Sequence, residues 1–181
     1  MRSDLKEITT CFGSWMGYEA LELIRETMWE RKTESLLEFG CGVSTVCWDE
    51  LVVATELPKR AVSYEHDPTW VASIRPHLKV VELRHRELRE DGWYNLTEDE
   101  PGEQFDFVIV DGPDGDARGL AYAELVTRQV LKPGTVLFVH DSEFKEGRFG
   151  KQLQEVLVPA RLIKAGQDHH RFFELYEVDG C

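Results

Sequence analysis

An apolar run that closes on an acid, two glycines one residue apart, and then a Ser–Thr pair constrain this chain more than any other feature. The segment reads Leu36-Leu37-Glu38-Phe39-Gly40-Cys41-Gly42-Val43-Ser44-Thr45. Its order describes a buried strand, a tight turn that a ligand can approach, and the start of a helix. Glycine suits such a turn because, lacking Cβ, its backbone takes unusual dihedrals and comes close to a ligand. Ser44 or Thr45 can cap the helix by accepting from its unpaired N–H groups. The turn is built for a small ligand carrying a nucleoside. Two glycines alone also fit an ordinary strand-to-helix turn, so the residues farther along decide between the readings.

Strands and helices alternate after that turn. Leu21, Ile24 and Met28 stand at helical spacing in a helix over 14–32, which leads into a strand over 35–39. A helix over 44–55 follows, then a strand Ala61–Glu65. Asp67 and Pro68 mark the N-cap and first turn of the next helix. Lys79–Leu83 reads as a third strand and Phe105–Val110 as the clearest buried one. A helix over 117–131, the turn Lys132-Pro133-Gly134 and a strand Thr135–Val139 come next, then a helix over 147–157. Arg161–Ile163 and Arg171–Val178 read as a closing hairpin around Gly166. Residues 85–104 interrupt the alternation as a largely irregular segment. The pattern predicts an α/β fold: a Rossmann-like, doubly wound, mostly parallel sheet with a C-terminal antiparallel hairpin. One domain is expected over 1–181, with a helical N-terminal cap over 1–34 and the core over 35–181.

Composition narrows the partners. The 181 residues carry 34 acidic against 21 basic side chains, a formal net charge of −13, which disfavours nucleic acid and anionic membrane as main partners. Cys11, Cys41, Cys47 and Cys181 show neither metal-ligand spacing nor a disulfide framework, as reduced thiols in a cytoplasmic protein would. No segment has the length and apolarity of a membrane span, and the opening residues lack the apolar stretch of a signal peptide. Cytoplasm is the expected location.

In sheets of this kind ligands sit beyond the carboxyl ends of the strands. The polar residues there form a coherent set: Glu38 and Gly40 after the first strand, Glu65 after the second, Asp111 after the fourth, His140 and Asp141 after the fifth. Glu65 lies 25 residues past Gly40, where an acid grips ribose hydroxyls. A dinucleotide site is disfavoured because the third glycine of its fingerprint falls at Thr45.

On these residues the chain resembles class I S-adenosylmethionine-dependent methyltransferases over its whole length. Glu38-Phe39-Gly40-Cys41-Gly42 resembles the cofactor loop, and Tyr64-Glu65-His66-Asp67-Pro68-Thr69-Trp70 the ribose-binding segment of small-molecule O-methyltransferases. Val110-Asp111-Gly112-Pro113 and Val139-His140-Asp141 resemble that branch's fourth and fifth strand ends, and they are also similar to plant glucuronoxylan O-methyltransferases. The resemblance implies that Gly40, Gly42 and Ser44 line the cofactor, with Glu38 near its amino group. It implies Glu65 on the ribose, His66 or Asp67 beside the adenine, and Asp111 near the reacting centre. Trp93 and Tyr94 either wall the ligand or anchor the loop. The implied reaction is O-methylation of a small molecule or sugar. Methylation of nitrogen without a metal and a non-catalytic cofactor-binding subunit are the alternatives.

Two devices for activating a hydroxyl stay open. Asp111, His140 and Asp141 could hold a divalent cation, Mg²⁺ or, given the histidine, a softer transition metal. Alternatively His140 serves as general base, oriented by Asp111 or Asp141. Arg118 reads as a holder of an anionic acceptor or as a surface ion pair, and His85 as solvated. His169-His170 read as turn and strand residues. Residues 1–17 and 85–104 are the expected covers of the site. With so little chain beyond the core, either a second subunit, as in a homodimer, completes the pocket or a large acceptor stays partly outside.

Overall fold

The computed structural model describes residues 16–113, 115–141, 160–168 and 171–179. The elements in chain order are α1 (Tyr18–Arg31), β1 (Ser35–Phe39), α2 (Val43–Thr55), β2 (Arg60–Glu65), α3 (Pro68–Ile74), β3 (Glu82–His85), β4 (Phe107–Val110), α4 (Ala121–Thr127), β5 (Val136–His140), β6 (Ala160–Asp168) and β7 (Arg171–Val178). Short 3₁₀ turns at Arg75–His77 and Gly115–Leu120 extend α3 and precede α4. The helix expected over 147–157 and the His169-His170 pair lie outside the described residues.

The strands form one sheet in the order β3-β2-β1-β4-β5-β7-β6. The five strands from β3 to β5 are parallel, whereas β7 runs antiparallel to both β5 and β6. The expected doubly wound sheet with its terminal hairpin is therefore present. Alternate residues feed two core layers, as the pleat requires. Leu36, Phe107 and Phe138 face α1 and α2, where they meet Leu21, Ile24 and Trp48. Leu37, Val108 and Leu137 face the opposite layer with Tyr122 and Leu125 of α4.

That second layer is completed without a helix between β3 and β4. Trp93, Tyr94, Leu96 and Phe105 fill it from irregular chain, each essentially buried. Glu100 pins this segment: its carboxylate meets Arg84 and Arg86, while Arg128 donates to the carbonyls of Leu96, Thr97 and Glu100. Of residues 85–104, expected to cover the site, Trp93, Tyr94 and Leu96 pack against a sheet face. Among the described residues no helix is long and apolar enough to cross a membrane.

Three boundaries differ from the sequence reading for identifiable reasons. The third strand begins at Glu82 rather than Lys79, because the N–H groups of Lys79, Val80 and Val81 all donate to the buried Asp49 carboxylate. Gly166 lies inside β6 opposite Phe173, whose ring occupies the space of the missing Cβ, so the glycine serves packing rather than a turn. The helix expected over 117–131 is a 3₁₀ turn followed by the two turns of α4.

Candidate active site

The glycine turn is built on a buried acid. Glu38 is 1% exposed, and its carboxylate accepts four side-chain hydrogen bonds. Ser44 Oγ and Trp48 Nε1 donate to Oε1 at 2.6 and 3.0 Å, and Thr45 Oγ1 and Ser63 Oγ donate to Oε2 at 2.6 and 2.7 Å. Burial pushes the Glu38 carboxyl up to about 7, against the opposing pull of these donors. Thr45 Oγ1 also accepts the Gly42 N–H at 3.0 Å, so the acid holds the turn through the first residues of α2. Of the two expected caps, Thr45 serves and Ser44 does not. Glu38 and Ser44, expected to face the ligand, face each other beneath the turn.

Gly40 and Gly42 differ in what surrounds them. Gly40 has φ +94°, and a Cβ there would sit 2.8 Å from the Asp111 carbonyl and the Gly112 nitrogen. Gly112 reciprocates, since a Cβ on it would lie 2.8 Å from Gly40 Cα. The turns after β1 and β4 therefore touch backbone to backbone. Gly42 has no atom within 4 Å of the same position, and it is the N-cap of α2 without a side-chain acceptor. That side of the turn is open and borders the positive end of a helix dipole.

Glu65 closes the next corner. Its Oε2 accepts the Cys41 N–H at 2.9 Å, and its Oε1 accepts the N–H groups of His66 and Asp67 at 2.7 Å each. A carboxylate has about four lone-pair sites, so about one remains. His66 stands beside it, about a third exposed, with its ring edge-on to Tyr94. Asp67 caps α3 as expected, accepting the Thr69 N–H at 2.7 Å. His85 is not merely solvated: its Nε2 lies 2.9 Å from the His66 carbonyl and ties β3 to this corner. Burial, with the negative charges of Glu65 and Glu38, holds the Cys41 thiol far above the ordinary thiol range, which removes it as a nucleophile at neutral pH.

Tyr94 forms the floor. It is fully buried, its hydroxyl has no hydrogen-bond partner among the described residues, and that oxygen lies 2.7 Å from where a Gly112 Cβ would be. Trp93 packs on Phe39 and on Tyr94. Both aromatics thus act as anchors under the turns rather than as walls of an open pocket.

Beyond β4 and β5 the expected cluster is assembled. His140, wholly buried, has Nδ1 2.9 Å from Asp111 Oδ1, and an Asp141 oxygen lies 3.7 Å from the same nitrogen. Since an ionised carboxylate only accepts, Nδ1 carries a proton and donates to Asp111. One ligand atom from each of Asp111, His140 and Asp141 can be chosen within 4.8 Å of the others. Asp141 adopts the left-handed φ of +54°.

Arg118 plays neither of the roles the sequence suggested for it, holding an anionic acceptor or forming a surface ion pair. It is buried, neither a surface pair nor open to an acceptor. Its guanidinium donates to the Pro113 carbonyl at 3.2 Å, the Asp111 carbonyl at 2.8 Å, the His140 carbonyl at 2.9 Å and Asp141 Oδ2 at 3.0 Å. One side chain from the turn before α4 thus ties the ends of β4 and β5 together. A lone arginine in a loop carries no local signal of such a role. Ser63 was also missed, although a small hydroxyl residue between Val62 and Tyr64 inside a buried strand marks a buried polar partner.

A parallel sheet with this strand order, a glycine turn after β1, an acid after β2 and an acid–imidazole pair beyond β4 and β5 defines the class I methyltransferase fold. Residues 37–142 match the family described as Methyltransferase domain. The chain belongs to that family. No curated protein sequence matches it significantly. Among solved structures, an O-methyltransferase from Bacillus cereus in complex with SAH is 19% identical, with a TM-score of 0.67 over 98% of this chain and 91% of that one. The O-methyltransferase TomG from Streptomyces achromogenes, in complex with SAM, is 20% identical, with a TM-score of 0.65 over 99% of this chain and 89% of that one. The SAH-bound methyltransferase PaMTH1 from Podospora anserina is 16% identical, with a TM-score of 0.64 over 88% of this chain and 77% of that one. At these identities the likeness is one of fold.

Proposed function

We propose that the protein transfers a methyl group from S-adenosylmethionine to a hydroxyl oxygen of a small molecule or sugar. The observation that carries this reading is the Asp111–His140 pair, set next to the glycine turn by the Gly40–Gly112 contact. O-methyltransferases with this fold, one in complex with SAH and one with SAM, support it.

The residues fit the cofactor. Open space at Gly42 and the N-terminus of α2, where the N-cap glycine carries no side chain of its own, leave room for a polar ligand beside the helix's positive end. Glu65 offers its remaining lone-pair site to a ribose hydroxyl, and His66 stands at the rim for the base. Glu38 and Ser44 serve from below, by fixing the turn. When bound, S-adenosylmethionine supplies an electrophilic methyl carbon with a sulfonium leaving group.

The chain's own part in the chemistry is proton handling. Asp111 is partly exposed, and its Oδ1 is held by His140, which leaves Oδ2 to accept the hydrogen bond of an acceptor hydroxyl. As the oxygen lone pair forms the new C–O bond and the C–S bond of the sulfonium breaks, the hydroxyl proton passes to Asp111, whose carboxylate the His140 Nδ1–H holds in place. Arg118 keeps the two strand ends in register while the proton moves.

Calorimetric titration with S-adenosylmethionine and with NAD, followed by methyl-transfer assays on phenolic and sugar hydroxyls, tests the reading. Binding of the first ligand with loss of transfer in Asp111→Asn is expected. NAD binding with no response to S-adenosylmethionine overturns it.

A further inference from the structure

We propose that Arg118 takes the place of a divalent cation in the Asp111–His140–Asp141 cluster, so that the site works with a built-in guanidinium and binds no metal ion. The inference deepens the reading above and rests on it only for the reaction the cluster serves.

Three ligand atoms within 4.8 Å of one another match what a cation needs. The charge inside that spacing does not. Arg118 Nη1 is 3.0 Å from Asp141 Oδ2 and 3.8 Å from Asp111 Oδ1, with the side chain only 6% exposed. A guanidinium stays protonated at every accessible pH, so a doubly charged ion entering here would meet a fixed positive charge with little solvent between them. The arginine is held in place by its bonds to Pro113, Asp111, His140 and Asp141, which engage at least four of its five N–H donors. Arg171 Nη1 lies 3.4 Å from the other Asp141 oxygen. Among the described residues two carboxylates thus face two guanidinium groups, so the charge of the two acids is already met by side chains of the chain itself. The ring nitrogen that faces the cluster is committed as well, donating to Asp111. What a metal would do in orienting the acids falls to Arg118, through Asp141 and the carbonyls it grips.

The test uses the full-length protein in chelator-treated buffer, titrated calorimetrically with Mn²⁺ and, separately, with S-adenosylmethionine. The wild type is expected to give no Mn²⁺ binding that Asp141→Asn removes, and EDTA is expected to change its S-adenosylmethionine affinity by less than twofold. Arg118→Met, which keeps the aliphatic stem and loses the charge, is expected to gain one Mn²⁺ site, at least tenfold tighter than any wild-type response and lost again with Asp141→Asn. Stoichiometric Mn²⁺ binding by the wild type, abolished by Asp141→Asn, overturns the proposal, and this comparison stands even if Arg118→Met does not fold. Failure to bind S-adenosylmethionine in the parallel titration overturns the proposed reaction and leaves the role of Arg118 to the Mn²⁺ result.

Discussion

Glu65 Oε2 accepts the Cys41 N–H at 2.9 Å, which makes the acid at the end of β2 and the glycine turn after β1 one hydrogen-bonded unit. The same carboxylate gathers the His66 and Asp67 amides. It therefore shapes the cleft on one side and offers a charge to it on the other. Glu65→Gln keeps the outline but turns one acceptor oxygen into a donor group. Hydrogen bonds to a charged group are worth about 1.5–3 kcal/mol, so S-adenosylmethionine affinity should fall by about 10- to 100-fold, read by calorimetry. An affinity within twofold of wild type would reduce Glu65 to a brace.

Gly40 and Gly42 should separate folding from binding. Gly40→Ala combines a positive φ with a Cβ 2.8 Å from the Asp111 carbonyl, and should cost about 3 kcal/mol or more of stability. Gly42→Ala meets nothing within 4 Å and should cost at most about 1 kcal/mol as an altered N-cap. Cofactor affinity should nevertheless drop at least about tenfold, because the methyl group fills the open side of the turn where the backbone meets its ligand. Thermal melts and calorimetry on the two variants read the contrast directly; equal binding by Gly42→Ala and wild type would place the ligand elsewhere.

Tyr94→Phe removes a buried hydroxyl that has no hydrogen-bond partner among the described residues. An unsatisfied buried polar group costs about 1–3 kcal/mol, so this variant should be neutral or more stable by up to about 1 kcal/mol, contrary to the usual result of deleting a buried tyrosine hydroxyl. A loss of more than about 1 kcal/mol in denaturant unfolding would mean that the hydroxyl has a partner in solution, such as an ordered water.

Stability should depend on pH through Glu38. Burial raises its carboxyl from an ordinary 4.5 to about 7 in the folded state, so between those values the folded protein binds more protons than the unfolded chain. This contribution is complete below about pH 4.5 and is lost as pH rises through about 7. The difference corresponds to about 3 kcal/mol. Unfolding free energies of wild type and Glu38→Gln measured across that range should converge at high pH relative to their gap at low pH. A constant gap would show that Glu38 titrates normally.

The strands that carry the site were legible because each is an apolar run stopped by a polar residue, as in Phe107–Val110 followed by Asp111. The meeting of Asp111 with His140 followed from strand ends alone, because neighbouring parallel strands deliver their termini to one edge. Other features depend on partners far away in sequence. Lys79–Val81 has strand composition, yet Asp49 on another element captures its amides. Gly166 looks like a turn until Phe173 is placed over it. Glu38 carries the same local pattern as a ligand-facing acid, and only the convergence of Ser63 and Trp48 from other elements shows that it faces inward. Arg118 was out of reach for the same reason, because three of its acceptors are backbone carbonyls and leave no trace in side-chain chemistry.

The contact between Gly40 and Gly112 sets a rule for how the protein can change. A side chain gained at either position needs the space of the other's backbone, so neither turn can be redesigned while its neighbour stays as it is. Any descendant with a new residue in one of these turns must carry a compensating shift in the other. In the proposed reaction, the turn beside the donor and the turn beside the acceptor are thereby inherited together.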